Sequence, residues 1–388
     1  MDLTEKSLLE EAVRNTGLTD FGDDVFREGL CVLLDSLEGE ARLHDFGRLF
    51  AHKEILRHLE NRLRVTEDWK RYPEMAEVEI VAPIFVVSLP RSGSTILHEL
   101  LAQDPTSRFV ATWECNLVSP PAEAASYESD PRIAEWEREI ARTHGSEVPD
   151  FEGMHPMGAR LPEECLTVMA LDFKSQVFAY QFNVPSYEAW LEQQDLHSVY
   201  ATHRRQLQYM QWRCPRERWV LKAVGHLWAL EEIFDVYPDA RVVQTHRDPL
   251  KVLPSLTSLL SMGLGMTTDA VDAQAIAMQW AESWVEALRK ALAFRSSGSV
   301  DEKRFFDVHY LRSVDDPVAM VGRIYAHFGI SLSEEARRRM RDFLALSPKD
   351  KHGVHHYSLE EFGLDPAAER ERYRFYTESF GVEAEIQV

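Results

Sequence analysis

Apolar side chains recur at helical spacing through the first seventy residues. Leu8, Leu9, Ala12 and Val13, then Val25, Phe26, Leu30, Leu33, Leu34 and Leu37, return every three to four positions, the period of an amphipathic helix. Phe46 to Leu63 has the same character, so three helices are expected before about Tyr72. The pattern then changes. Ile84-Phe85-Val86-Val87 is a short continuous apolar run of strand type, followed by a Pro/Gly/Ser loop and by helical spacing at Ile96, Leu97, Leu100 and Leu101. Trp219-Val220-Leu221 predicts a second strand, His226 to Val236 a helix closed by Pro238-Asp239, and Arg241 to Thr245 a third strand. Strand, crossover helix and strand at this spacing imply a parallel sheet with right-handed connections. A further strand is expected at Phe305 to Val308, with helices over 316–328, 333–345 and 365–380. Residues 115–215 hold no sustained period and read as an irregular, aromatic-rich insertion or lid. The segment from Ser347 to Tyr357 is polar and loop-like.

Composition sharpens this picture. A chain of 388 residues, 45% hydrophobic and 28% charged with no repeat, can bury one large α/β core or two modest domains. The longest apolar run, near Ile80 to Leu89, is broken by Pro83 and falls short of the ~20 residues of a membrane span. Met1-Asp2-Leu3-Thr4-Glu5-Lys6 lacks the basic and apolar regions of an export signal. Cys31, Cys115, Cys165 and Cys214 are far apart with no Cys-x-x-Cys pair. That argues against a zinc knuckle or disulfide framework and for buried free thiols in a reducing cytoplasm. With 43 basic against 64 acidic residues the formal charge is −21. Such a surface disfavours nucleic acid and anionic membranes, so a polyanionic ligand must be held by a few placed cations and backbone amides.

Two segments offer that chemistry. Ser88-Leu89-Pro90-Arg91-Ser92-Gly93-Ser94-Thr95 lies between a strand and a helix start. There successive backbone N–H groups and the helix dipole favour a phosphate. Gly93 permits close approach, Ser92, Ser94 and Thr95 offer hydroxyls, and Arg91 supplies positive charge. The nucleotide-triphosphatase loop, Gly-x-x-x-x-Gly-Lys-Ser/Thr, is not matched: the first glycine is missing and the cation precedes the Gly. Later, Thr245-His246-Arg247-Asp248-Pro249 follows a predicted strand, and Ser255 falls two turns into the next helix. Arg247 can fork onto phosphate oxygens while Ser255 points a hydroxyl back.

Pro90-Arg91-Ser92-Gly93-Ser94-Thr95 resembles the 5′-phosphosulfate loop of the sulfotransferase superfamily. Arg247 with Ser255 is similar to that family's 3′-phosphate pair. An arginine rather than a lysine in the loop resembles the bacterial and tyrosylprotein branches. The resemblance covers roughly residues 82–362 and implies a P-loop-like three-layer α/β fold, a central parallel sheet flanked by helices. The helical pattern sets an N-terminal extension over 1–75, for which the family offers no counterpart, apart from a catalytic domain over 76–388. Within that domain, 115–215 would shape the acceptor site, and 347–362 would close over the nucleotide through Lys351, His352 and Gly353. The implied donor is 3′-phosphoadenosine 5′-phosphosulfate, with no metal. His352, His355 and His356 offer a metal alternative without a defensible geometry.

Sulfuryl transfer, like phosphoryl transfer, needs positioning, charge stabilisation and a base. The family resemblance points to Glu114 as base and to Lys222, at a strand end, as the cation offsetting charge on the leaving phosphate. Glu163 and Glu164 are rival acids, placed by sequence in the first turn of a helix where the dipole alone would favour them. His226 reads as structural. Trp113, Phe151, Phe173, Phe178, Tyr180, Phe182, Tyr187 and Trp190 read as an apolar pocket or as core. The acceptor, a small molecule, lipid or carbohydrate, stays open, as does a homodimer through the N-terminal helices. A nucleotide kinase and a non-catalytic nucleotide-binding protein are the competing readings.

Overall fold

The structure, a computed structural model, describes residues 1–144, 157–346 and 358–386. Its centre is a five-stranded sheet in the order β2-β3-β1-β4-β5. The strands are β1 (Ile84–Ser88), β2 (Ser107–Arg108), β3 (Arg218–Lys222), β4 (Arg241–His246) and β5 (Phe305–His309). Every pairing is parallel, with Ile84 opposite both Val220 and Arg241 and with Ser88 opposite Thr245. β1 is buried along its whole length, which is why it reads as a run and not as an alternation. Ile84 and Val86 join Leu97, Leu100 and Leu101 of helix Ser94–Ala102 and Val321 and Ile324 of helix Pro317–His327 in one core. Phe85 packs instead on His226 and Tyr237, ring centroids 5.1 and 5.3 Å away. Helices on both faces of a parallel sheet give the expected three layers.

The chain divides into two compact units, each assembled from separated segments. Residues 81–109, 217–261 and 272–388 make the sheet unit; residues 1–80, 110–216 and 262–271 make a helical unit. The structure thus groups the N-terminal helices with the insertion, where the sequence pattern set 1–75 apart from 76–388. The reason lies in helices Val25–Gly39 and Asp45–Arg71, whose inner faces are covered by the insertion. A Cβ on Gly29 would stand 2.3 Å from the Phe173 carbonyl oxygen. Arg62 is buried and spends all five N–H donors within this unit. They go to the carboxylates of Asp172 and Asp23 at 2.6 Å each and to the carbonyls of Phe21, Asp23 and Leu171.

The insertion is more helical than its sequence implies. It contains Pro131–His144, Cys165–Met169, Val177–Gln181, Pro185–Leu191 and His197–Gln211. All five residues of Cys165–Met169 are buried, so no polar face marks a period. Elsewhere the expected helix 226–236 is a 3₁₀ turn, Val224–Trp228, and a helix, Leu230–Val236. The last expected helix is two, Pro366–Arg372 and Arg374–Phe380. The four cysteines are free thiols. Among the described residues no helix is long and apolar enough to cross a membrane.

Candidate active site

The phosphate-loop residues sit at the carboxyl end of the central strand, the edge where open parallel sheets receive ligands. Arg91 and Gly93, either side of Ser92, both have positive φ, 59° and 85°. Left-handed backbone is natural for glycine and costs a non-glycine residue of order 1 kcal/mol. Here it folds the loop tightly ahead of helix Ser94–Ala102, with Gly93 as its N-cap. Ser92 is buried and ties the loop down, its hydroxyl reaching the Leu89 carbonyl and the Thr245 hydroxyl (2.6 Å). Pro90 and Ser94 are buried beside it, whereas Thr95 is exposed. A Cβ on Gly93 would lie 3.0 Å from the Tyr310 ring, so both the φ and the space call for glycine.

The second motif converges on the first. Arg91 Nε donates to Ser255 Oγ at 3.2 Å, and Arg247 Nη1 donates to the Arg91 carbonyl at 2.8 Å. Ser255 lies on helix Pro249–Gly265. Residues more than 150 positions apart in sequence are thereby brought to one edge of the sheet. Lys222 ends β3, buried, opposite Val86. It acts electrostatically on Glu99 of helix Ser94–Ala102: burial pushes that carboxyl up, and Lys222 draws it back down. Glu99 carries no motif and was not anticipated.

His246, the last residue of β4, is buried, with Nε2 at 2.8 Å from Asp307 Oδ1 and Nδ1 at 3.1 Å from the Tyr376 hydroxyl. Burial pushes the His246 imidazole down, against the pull of Asp307. The Asp307 carboxyl is raised by its own burial, but His246 and Arg295 outweigh that and hold it well below the usual carboxylate range.

The candidate bases all belong to the helical unit. Glu114 is 3% exposed on the short helix Thr112–Asn116 and accepts from the Tyr127 hydroxyl at 3.2 Å. Burial pushes the neighbouring Cys115 thiol up, and Glu163, Arg57 and Glu114 all act on it electrostatically. Glu114 and Glu163 therefore share one neighbourhood. Glu164 acts likewise, with Glu188, on the buried Tyr180 hydroxyl. Neither Glu163 nor Glu164 lies in a first helical turn: the helix begins at Cys165 with Glu164 as an extended N-cap. The Glu163 amide donates to the Val110 carbonyl, so the chain is still paired there as bridge, not helix. Several aromatic residues of the insertion are core, while Tyr180 and Trp190 are half-buried. Phe173 stacks on Phe178 at 5.6 Å, and Phe173, Phe178, Phe182 and Tyr187 are fully buried. Phe151, Lys351, His352 and Gly353 lie outside the described residues, as do His355 and His356.

A loop of alternating backbone hand before a helix, with two arginines and a serine at the same sheet edge, is a setting suited to anionic ligands and marks an α/β protein of the ligand-binding class. Comparison with known proteins gives that class its family. The model of the sulfotransferase family matches residues 83–334, and the chain belongs to that family. The omega-hydroxy-beta-dihydromenaquinone-9 sulfotransferase Stf3 of Mycobacterium bovis is 26% identical over 279 residues. That match takes in 68% of this chain and 66% of the relative, just short of two thirds of its length. The crystal structure of sulfotransferase STF1 from Mycobacterium tuberculosis H37Rv superposes with a TM-score of 0.85 at 34% identity, covering 95% of this chain and 98% of that one. Sulfotransferase STF9 from Mycobacterium avium superposes with a TM-score of 0.90 at 28% identity, covering 100% and 99%. The superfamily and the fold expected from the two motifs are borne out.

Proposed function

We propose that this protein moves a sulfuryl group from 3′-phosphoadenosine 5′-phosphosulfate to a hydroxyl of a small-molecule or lipid acceptor. The observation that carries the reading is the convergence of Arg91, Arg247 and Ser255 at one edge of the sheet. The residues present fit such a donor. The loop's amides precede a helix N-terminus, and among the described residues Arg247 keeps N–H donors beyond those it spends on the chain. The bound donor supplies an activated sulfuryl group on a phosphate leaving group.

The chain's own groups then have separable tasks. Arg91 and the amides of Ser92 to Thr95 hold the 5′-phosphate, and Arg247 with Ser255 holds the 3′-phosphate. Lys222 offsets charge growing on the leaving oxygen. Glu114 accepts the acceptor hydroxyl's proton. Glu163 and Glu164 orient the acceptor. Lys351, His352 and Gly353 add a closing contact to the nucleotide. A lipid alcohol is the acceptor class favoured by the likeness to Stf3, whose acceptor is a hydroxylated menaquinone.

Calorimetric binding of 3′-phosphoadenosine 5′-phosphate, without magnesium, tests the reading. The wild type binds, and Arg247→Ala weakens binding by about 2 kcal/mol, the scale for a lost charged hydrogen-bond partner. No binding by the wild type, or equal binding by the variant, overturns it.

A further inference from the structure

Arg247 is held on three sides. Its Nε and Nη2 donate to the two carboxylate oxygens of Glu385 at 2.9 and 3.0 Å, a side-on fork. Its Nη1 donates to the Arg91 carbonyl. The Tyr310 ring covers one face, with the guanidinium carbon 3.8 Å from the ring centroid. A guanidinium has five N–H donors in a fixed plane, so three bonds to the described residues leave one N–H on each terminal nitrogen. Those two nitrogens form the end that can take a phosphate bidentately.

Glu385 is anchored in turn. Its amide and that of Ile386 donate to Asp248 Oδ2, and Arg370 bridges Asp248 and the Ile386 carbonyl. The Asp248 side chain is fully buried. Adjacent residues of one motif thus have linked tasks: Asp248 holds the C-terminal segment whose carboxylate holds Arg247.

We infer that Glu385, with Tyr310, is the positioning apparatus that aims Arg247, and so sets the preference for nucleotides bearing a 3′-phosphate. This rests on the reading of Arg247 as the 3′-phosphate ligand. Glu385 takes the side edge of the guanidinium and leaves the terminal nitrogens. Its backbone is tied to a buried aspartate, which suits a fixed support and not a plug that must leave.

The test is the ratio of affinities for 3′-phosphoadenosine 5′-phosphate and adenosine 5′-phosphate, measured by calorimetry on the full chain. In Glu385→Ala the ratio falls about tenfold, the lower end of a hydrogen bond to a charged group, while adenosine 5′-phosphate binds within about twofold of wild type. Glu385→Gln, which keeps one acceptor oxygen, falls between. In an Arg247→Ala background, Glu385→Ala changes nothing further. Tyr310→Leu lowers the ratio and Tyr310→Phe does not, which keeps the test open should the Glu385 variants fold poorly. An unchanged ratio, or equal weakening for both nucleotides as a merely structural role gives, overturns the inference. A raised ratio also overturns it, since the carboxylate would then be competing with the phosphate. A wild type without preference for the 3′-phosphate fails the proposed function instead.

Discussion

Two arginines show how differently the two units use the same side chain. Arg62, in the helical unit, is buried and gives all five donors to its own unit, two of them to carboxylates. Arg247, in the sheet unit, is held as firmly but gives three to the described residues. A saturated cation can only hold the fold together. One fixed in place with donors unspent is equipped to meet a ligand, and the surplus is visible in the bond count.

Three changes test that division, beginning with the largest effect. Glu114→Gln would place the reaction's proton acceptor in the helical unit: kcat is expected to drop by about 10²–10⁴, the usual share of a general base, with nucleotide affinity within about threefold. A variant that keeps most of its kcat would move the role to Glu163 or Glu164. Arg62→Ala strands the Asp172 carboxylate, 2% exposed, and should cost about 3–5 kcal/mol. Chemical denaturation would show it, and an unchanged midpoint would mean that Arg62 is replaceable by water.

The effect smallest per step is in pH. Burial pushes His58 and His246 down and His203 down to about 3. Below the ordinary histidine pKa of ~6.5, the unfolded chain takes up protons that the fold refuses. Stability therefore falls on acidification at up to about 1.4 kcal/mol per pH unit for each histidine, through a window that for His203 runs down to about 3. Asp307, held low, adds its loss only below the ordinary carboxylate range, ~4. His203→Gln should flatten the slope above that point; an identical slope would refute the assignment.

The sheet unit was legible for a physical reason. Strands buried on both faces must be apolar runs, and a phosphate loop must sit between a strand and a helix. β1, β3, β4 and β5 were therefore readable. β2, Ser107–Arg108, pairs through two polar residues and left no trace. The helical unit hid its order because short helices buried all round, such as Cys165–Met169, have no polar face to mark a period. Of its aromatic residues, read as pocket or core, Trp113, Phe173, Phe178, Phe182 and Tyr187 are core. The convergence of Arg91, Arg247 and Ser255 could be anticipated because two sequence motifs single them out. Glu385 and Tyr310 belong to no motif and reach Arg247 only through the tertiary path of the chain.

The sheet's strand order has a consequence for synthesis. β1, the central strand, pairs with no strand of its own neighbourhood: Ile84 waits for Val220 and Arg241. At ~5–20 residues per second on the ribosome, both edges of a strand apolar at four of its five residues stay unpaired for of order ten seconds. Exposed apolar edges seek other chains, so during translation the sheet unit is the part of the nascent protein in need of chaperone cover.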